Sequence, residues 1–151
     1  MKKKVLTLLM IGMLSLLFTG CVDFPELDEN AKCFDFSVIA YTSPEGYSEG
    51  IQTIEYNGRQ YGFFGTLKNM ISPMDVDKCV GYINNDINEA GANTDTRIYT
   101  LVDDPDNNYL LEYYIADTEM NQPTFLRAID TNGMEIDTPR YIERLEYDYW
   151  K

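Results

Sequence analysis

The sequence predicts an α+β domain that is mainly β, a small antiparallel meander with one C-terminal helix. Two observations predict the sheet: runs of alternating apolar and polar residues recur from Phe34 onward, and turn signals separate them. A third observation predicts the helix, because Thr138-Pro139 stands before an apolar stripe at helical spacing. The runs number about seven, which suits either an open sheet or a barrel-like one, and the sequence leaves both alternatives open.

The clearest local signal is the dipeptide Asn57-Gly58, which lies between two alternating runs. A type I′ turn needs positive φ at both central residues, and Asn and Gly adopt it readily. This turn predicts a hairpin whose register places Ile54 opposite Tyr61.

The remaining strands are predicted from the same alternation. They are Phe34–Tyr41, Val76–Ile83, Arg97–Val102, Tyr109–Ala116 and Thr124–Ile129. The run that begins at Tyr109 carries apolar residues on both faces, which is typical of a central strand covered above and below.

The predicted C-terminal helix begins at Thr138, whose hydroxyl would accept from the first unpaired amides. Pro139 suits the first helical position because its missing N–H has no helical partner there. Tyr141, Ile142 and Leu145 form a stripe that would pack on the sheet.

An export signal is predicted at the N-terminus. Lysines fill positions 2–4, an apolar run covers Val5–Phe18, and Gly20 precedes Cys21. This stretch resembles the lipobox of bacterial lipoprotein precursors, although Phe18 stands where leucine is commonest. The resemblance implies that Cys21 receives a thioether-linked diacylglycerol and becomes the first residue. The alternatives are an uncleaved transmembrane helix, near the lower length limit for spanning a bilayer, and an ordinary secretory signal.

Domain organisation follows from this resemblance. Residues 1–20 would be the signal peptide, 21–32 the lipidated cysteine with an acidic tether, and 33–151 one globular domain. The expected location is the extracytoplasmic face of a bacterial cell membrane, where acyl chains stabilise attachment by about 0.8 kcal/mol per methylene. The expected partners are the membrane, through the anchor, and a protein.

Composition excludes one class of partner. Without residues 1–20 the chain keeps nine basic and 25 acidic residues, a formal charge of −16. Nucleic acid is therefore not expected as a partner, because its binding needs clustered Lys and Arg. The 12 Tyr and seven Phe argue for a folded core rather than disorder.

The search for chemistry gives few candidates, and no cofactor is predicted. The chain has no histidine, which excludes Ser-His and Cys-His nucleophile pairs, and it has no glycine-rich phosphate loop. The best cation candidates are Asp104, Asp106 and Asn108, whose alternating oxygens are similar to the opening of a calcium loop. Tyr109 stands where an EF-hand has its glycine, so an ordinary hairpin turn is the competing interpretation.

Two cysteines remain once Cys21 is assigned to the anchor. Cys33 and Cys79 form an even pair in an exported chain, so a disulfide between them is possible. Cys79 lies in an apolar strand pattern, and a buried thiol is the alternative.

Two function classes follow from these observations. The first is a non-enzymatic, lipid-anchored binding or interaction domain with an exposed aromatic surface, for which the candidates are Tyr47, Tyr56, Tyr61 and Tyr109. The second is a weak calcium-dependent or carboxylate-based envelope enzyme, which would need acids from separate strands to converge in a pocket. The sequence favours the first class.

Overall fold

A computed structural model describes residues 23–43, 45–83, 94–115 and 122–142, together with the backbone of 145–148. It contains one sheet of nine strands. In chain order these are β1 (Lys32–Phe34), β2 (Ser37–Thr42), β3 (Ser48–Tyr56), β4 (Arg59–Leu67), β5 (Val76–Ile83), β6 (Thr96–Leu101), β7 (Tyr109–Tyr114), β8 (Thr124–Ala128) and β9 (Leu145–Asp148). The prediction of a mainly β fold is confirmed.

The strands are ordered β1-β5-β6-β7-β8-β4-β3-β2, and β9 also pairs with β4. Every pair is antiparallel except β1 with β5, which is parallel. The sheet is curled and open and forms a half-barrel. Of the two alternatives left by the sequence, the structure therefore has the open sheet.

The predicted β3–β4 hairpin is confirmed. Asn57 and Gly58 have φ values of 51° and 76°, as a type I′ turn requires. Ile54 lies opposite Tyr61, in the register that the turn predicts.

The curl brings the two ends of the sheet together. β1 and β2 are the terminal strands of the order, yet only Asp35 and Phe36 join them in the chain. Across this link the Cα atoms of Phe34 and Ser37 are at most about 11 Å apart. The rings of Phe34 on β1 and Tyr56 on β3 approach to 6.3 Å between centroids, which identifies the inner face of the curl.

Apolar side chains form one cluster on each face of the sheet. The inner cluster consists of Phe34, Ile54, Tyr61, Ile83, Ile98, Leu110, Leu126 and Ala128. The outer cluster includes Phe64, Leu67, Tyr99, Leu101, Tyr109, Leu111, Tyr113 and Phe125. β7 contributes to both clusters, as expected of a central strand.

The outer cluster is covered by segments outside the sheet. Phe24 stacks on Tyr113 with ring centroids 4.8 Å apart, and Leu27 packs beside it. The residues of the predicted tether that the structure describes thus contact the domain, and Lys32, which was assigned to the tether, opens β1.

The predicted C-terminal helix is wrong. Helical structure in the described part of the chain is limited to 3-10 geometry, which covers Pro73–Asp75 and Ile129–Thr131 and also occurs at Ile142. After Pro139 the chain makes one turn, in which the Ile142 N–H donates to the Pro139 carbonyl, and it then enters β9. No helix among these residues is long and apolar enough to cross a membrane.

The reason for β9 lies in the sheet rather than in the local sequence. β3 pairs with β4 only as far as Gly62, so the second half of β4 lacks a neighbour on that side. β9 fills the vacancy by pairing with Gly65, Thr66 and Leu67. Ladder hydrogen bonds over the segment satisfy its backbone groups, whereas an isolated helix of this length is marginal.

Candidate functional site

A cavity of about 280 Å³ opens on the inner face of the curl, and we call it the inner pocket. Strands β3, β4, β7 and β8 and the link between β1 and β2 all contribute to its lining. The lining side chains that matter here are Phe36, Tyr61, Phe63, Glu112, Thr124 and Leu126.

The inner pocket borders the place where β3 and β4 separate. Their ladder ends at Thr53 and Gly62, beyond which β3 continues beside β2 and β4 continues beside β9. A second cavity of about 310 Å³ lies at this separation and shares Gln52 and Phe63 with the inner pocket. The two cavities are therefore adjacent.

Glu112 is the acidic residue of the pocket lining. Its neighbours across the ladder are Ile98 on β6 and Thr124 on β8, and Ile98 is fully buried. No hydrogen bond or ion pair joins its carboxyl group to another of the described residues. Burial raises the pKa of Glu112, because the charged form loses hydration.

Tyr61 forms the floor of the pocket. Its ring is buried, and its hydroxyl donates to the Asn107 carbonyl oxygen at 2.6 Å. Burial raises the pKa of Tyr61 to about 12, so the phenol stays neutral at physiological pH. Phe36 and Phe63 also line the pocket and are exposed to solvent. The pocket thus runs from aromatic rings at the surface to a neutral phenol inside.

The sequence analysis missed Glu112. The signal was the alternation along β7, in which Leu110, Glu112 and Tyr114 occupy every second position. Since Leu110 belongs to the inner cluster, the same alternation places Glu112 on the inner face. A charged residue at an inward position of a central strand is unusual enough to mark a candidate site.

Two of the three predicted cation ligands, Asp104 and Asn108, use side-chain oxygens for other contacts, whereas Asp106 is contacted at its backbone carbonyl. The Asp104 side chain is 4% exposed, and its carboxylate accepts from the Tyr109 N–H at 2.6 Å. Burial raises the pKa of Asp104. No three acidic, cysteine or histidine side chains of the described residues are grouped as a metal site.

Arg59 organises the same loop. Its guanidinium donates to both carboxylate oxygens of Asp130, at 2.9 and 2.7 Å, and this side-chain hydrogen bonding lowers the pKa of Asp130. It also donates to the carbonyls of Asp106 and Asn107 and to Asn108 Oδ1. A guanidinium therefore already neighbours the loop oxygens proposed for a cation.

The two remaining cysteines are described as free thiols. Cys33 is exposed on β1, whereas Cys79 is buried on β5 with its thiol 3.5 Å from the Gly81 carbonyl oxygen. Burial raises the pKa of Cys79. This arrangement is the buried-thiol alternative; Cys21 and the signal lie outside the described residues.

The predicted platform of exposed tyrosines is not formed. Tyr61 and Tyr109 are buried and Tyr56 is half-buried, so only Tyr47 of the four is well exposed. The exposed apolar side chains in this part of the molecule include Phe36 and Val38.

Comparisons with protein-family models, curated proteins and solved structures each gave no match to the chain. The candidate site therefore rests on its geometry and chemistry.

Proposed function

We propose that the protein is a lipid-anchored, extracytoplasmic binding domain whose binding site is the inner pocket. The observation that carries the proposal is a concave site in which aromatic and aliphatic side chains surround one carboxyl group, Glu112. Binding sites for small molecules are typically concave and mostly apolar, with few polar groups that fix the orientation of the ligand.

The anchor in this proposal is supported by the order of basic residues, apolar run, Gly20 and Cys21 in the sequence. The test is metabolic labelling of bacteria that express the full chain with an alkyne fatty acid. We expect label on the native chain and on Cys33→Ala, which controls for loss of a thiol. Label that persists on Cys21→Ala would contradict the anchor.

The binding role has its own test. A set of cationic, neutral and anionic fragments is added to the purified full chain in detergent, and isoleucine methyl shifts are recorded by NMR. We expect shifts at Ile54, which lines the inner pocket, and not at Ile142, which is buried in the outer cluster. If no fragment of the set shifts the Ile54 methyl signal at millimolar concentration, the result contradicts a ligand site in the pocket.

The calcium-dependent or carboxylate-based enzyme has less support. The lining of the inner pocket supplies one carboxyl group, from β7, whereas hydrolysis of a glycosidic bond generally uses two. Asp104 and Asn108 direct side-chain oxygens to the Tyr109 N–H and to Arg59. We therefore retain the binding domain as the proposal.

A further inference from the structure

We infer that the inner pocket takes a small organic cation, an ammonium or guanidinium group on an apolar body, with Glu112 as its counter-ion. The inference rests on the proposed binding function and names the class of ligand. It is argued from the charge of the pocket, the nature of its walls and its size.

Neutral side chains surround Glu112 in the sheet. On its own face, Ile98 and Thr124 flank it across the ladder and Leu110 precedes it on β7, and all three are neutral. The other titratable group in the lining is Tyr61, which is a neutral phenol. Glu112 is half-buried, and an ionised carboxylate that loses part of its hydration costs free energy unless an opposite charge accompanies it. A bound cation supplies that charge.

The walls suit a cation that carries apolar groups. Phe36 and Phe63 line the cavity, and the face of an aromatic ring attracts ammonium and guanidinium groups. The Tyr61 ring also lines it but already has the Arg59 guanidinium 5.8 Å from its centroid. The buried Tyr61 and Leu126 lower the local dielectric, which strengthens the attraction between the carboxylate and the cation. Thr124 and Gln52 add polar groups to the lining.

Size favours a small molecule. The inner pocket measures about 280 Å³, close to the lower end of the range for small-molecule sites. A single ring with a short aminoalkyl chain is of this scale. The adjacent cavity extends the apolar surface toward Gly50 and Ile51.

The test compares three probes of one shape and different charge: phenethylammonium, 2-phenylethanol and phenylacetate. Each is titrated into the full chain in detergent while the Ile54 methyl shift is followed. We expect phenethylammonium to bind at least tenfold more tightly than either of the other two. We also expect its affinity to fall as the pH is lowered, because protonation of Glu112 removes the counter-ion.

The matched variants are Glu112→Gln and Glu135→Gln. Both remove one negative charge, but Glu135 is exposed and does not line the pocket. Glu112→Gln is expected to lose at least tenfold in phenethylammonium affinity, and Glu135→Gln to keep it. The native fold of each variant is checked by the dispersion of the methyl spectrum.

Three results would overturn the inference. They are equal binding of 2-phenylethanol and phenethylammonium, unchanged affinity in Glu112→Gln, and affinity that rises on acidification. Each leaves a pocket that binds ligands, so the binding function would survive while the cation class would not. If none of the probes moves Ile54, the cation inference fails as well, and the wider fragment set decides whether the binding function fails with it.

Discussion

At the scale of single residues, Glu112 links stability to pH. Burial puts its folded-state pKa above the unfolded value, so the residue costs no stability below the unfolded pKa. A cost develops as the pH rises from the unfolded pKa to the folded-state pKa and is complete above the latter. Without ligand, we expect Glu112→Gln to stabilise the protein by about 1 kcal/mol at pH 7, the scale of an unpaired buried polar group.

The measurement for this prediction is urea unfolding of Glu112→Gln and of the native chain at several pH values. The gain should vanish near pH 3, where both states of the native chain are protonated. The exposed control Glu135→Gln should show little change in the free energy of unfolding at low or at neutral pH. A stability gain that is the same at every pH would contradict the assigned burial of the carboxyl group.

The cysteines give a second prediction at this scale. A thiol reacts with maleimide as the thiolate, and burial both raises the pKa of Cys79 and shields its sulfur. We expect Cys33 to be labelled within minutes at pH 7 and Cys79 only after unfolding in urea. Mass spectrometry of tryptic peptides measures both. If neither cysteine is labelled until a reductant is added, the two form a disulfide instead.

The contacts of Arg59 give a third prediction at the scale of single residues. The ion pair with Asp130 is partly exposed, since the Asp130 side chain is 58% accessible, so the pair itself contributes about 1 kcal/mol or less. Arg59 also donates to two loop carbonyls, which a lysine cannot reach with the same planar fork. We therefore expect Arg59→Lys to cost about 1–2 kcal/mol in urea unfolding, more than Asp130→Asn. If Asp130→Asn costs more stability than Arg59→Lys, the Asp130 carboxylate contributes more to stability than the two loop carbonyls.

At the scale of elements, Gly81 determines whether β1 can join the sheet. A methyl group at Gly81 would overlap the Lys32 carbonyl oxygen and the Phe34 ring. We expect Gly81→Ala to displace β1 and to cost about 1–3 kcal/mol of stability. At Gly50 an added methyl meets only a Val38 side-chain methyl, at 3.1 Å, so Gly50→Ala is the milder control.

The readout for β1 is hydrogen exchange of the amides between Lys32 and Phe34. Faster exchange in Gly81→Ala than in Gly50→Ala is the expected result. Equal protection in the two variants would contradict the role given to Gly81.

The elements also show which parts of the fold a sequence can reveal. The hairpin at Asn57-Gly58 was predicted correctly because φ preferences of two adjacent residues determine it. β7 was predicted as central because its own alternation carries the signal. β9 was missed, since its partner is a vacancy on β4 that appears only once β3 has diverged.

The candidate site was harder to predict for the same reason. Glu112 could be found from alternation, but the curl that encloses it depends on strands far apart in the sequence. Arg59 and Asp130 are 71 residues apart, and their pairing has no local sequence signal. The loop at Asp104–Asn108 was identified as oxygen-rich, and the sequence could not reveal that a guanidinium lies beside it.

At the scale of the whole molecule, the strongly acidic composition predicts a response to salt. After removal of residues 1–20 the formal charge is −16, and the excess acidic side chains repel one another in the compact state. Screening shortens the range of that repulsion to about 10 Å at 0.1 M salt. We expect the free energy of unfolding to rise by roughly 1 kcal/mol between low salt and 0.5 M NaCl. Urea titrations at the two salt concentrations measure it, and a fall in stability would point instead to dominant surface ion pairs.

The docked N-terminal segment gives the proposed anchor a direction. Cys21 precedes Phe24 by three residues, which span at most about 11 Å. Phe24 stacks on the outer face of the sheet, opposite the inner pocket. With a lipid on Cys21, the outer face would lie near the bilayer and the pocket would open away from it.

The link at Asp35-Phe36 also borders the inner pocket. Because two residues tie the ends of the sheet together, the half-barrel cannot spread without breaking the pairing of β1 or β2. Phe36 belongs both to this link and to the pocket lining. If the inner pocket binds ligands as proposed, this tie would favour slender, flexible molecules over branched ones of the same mass and charge.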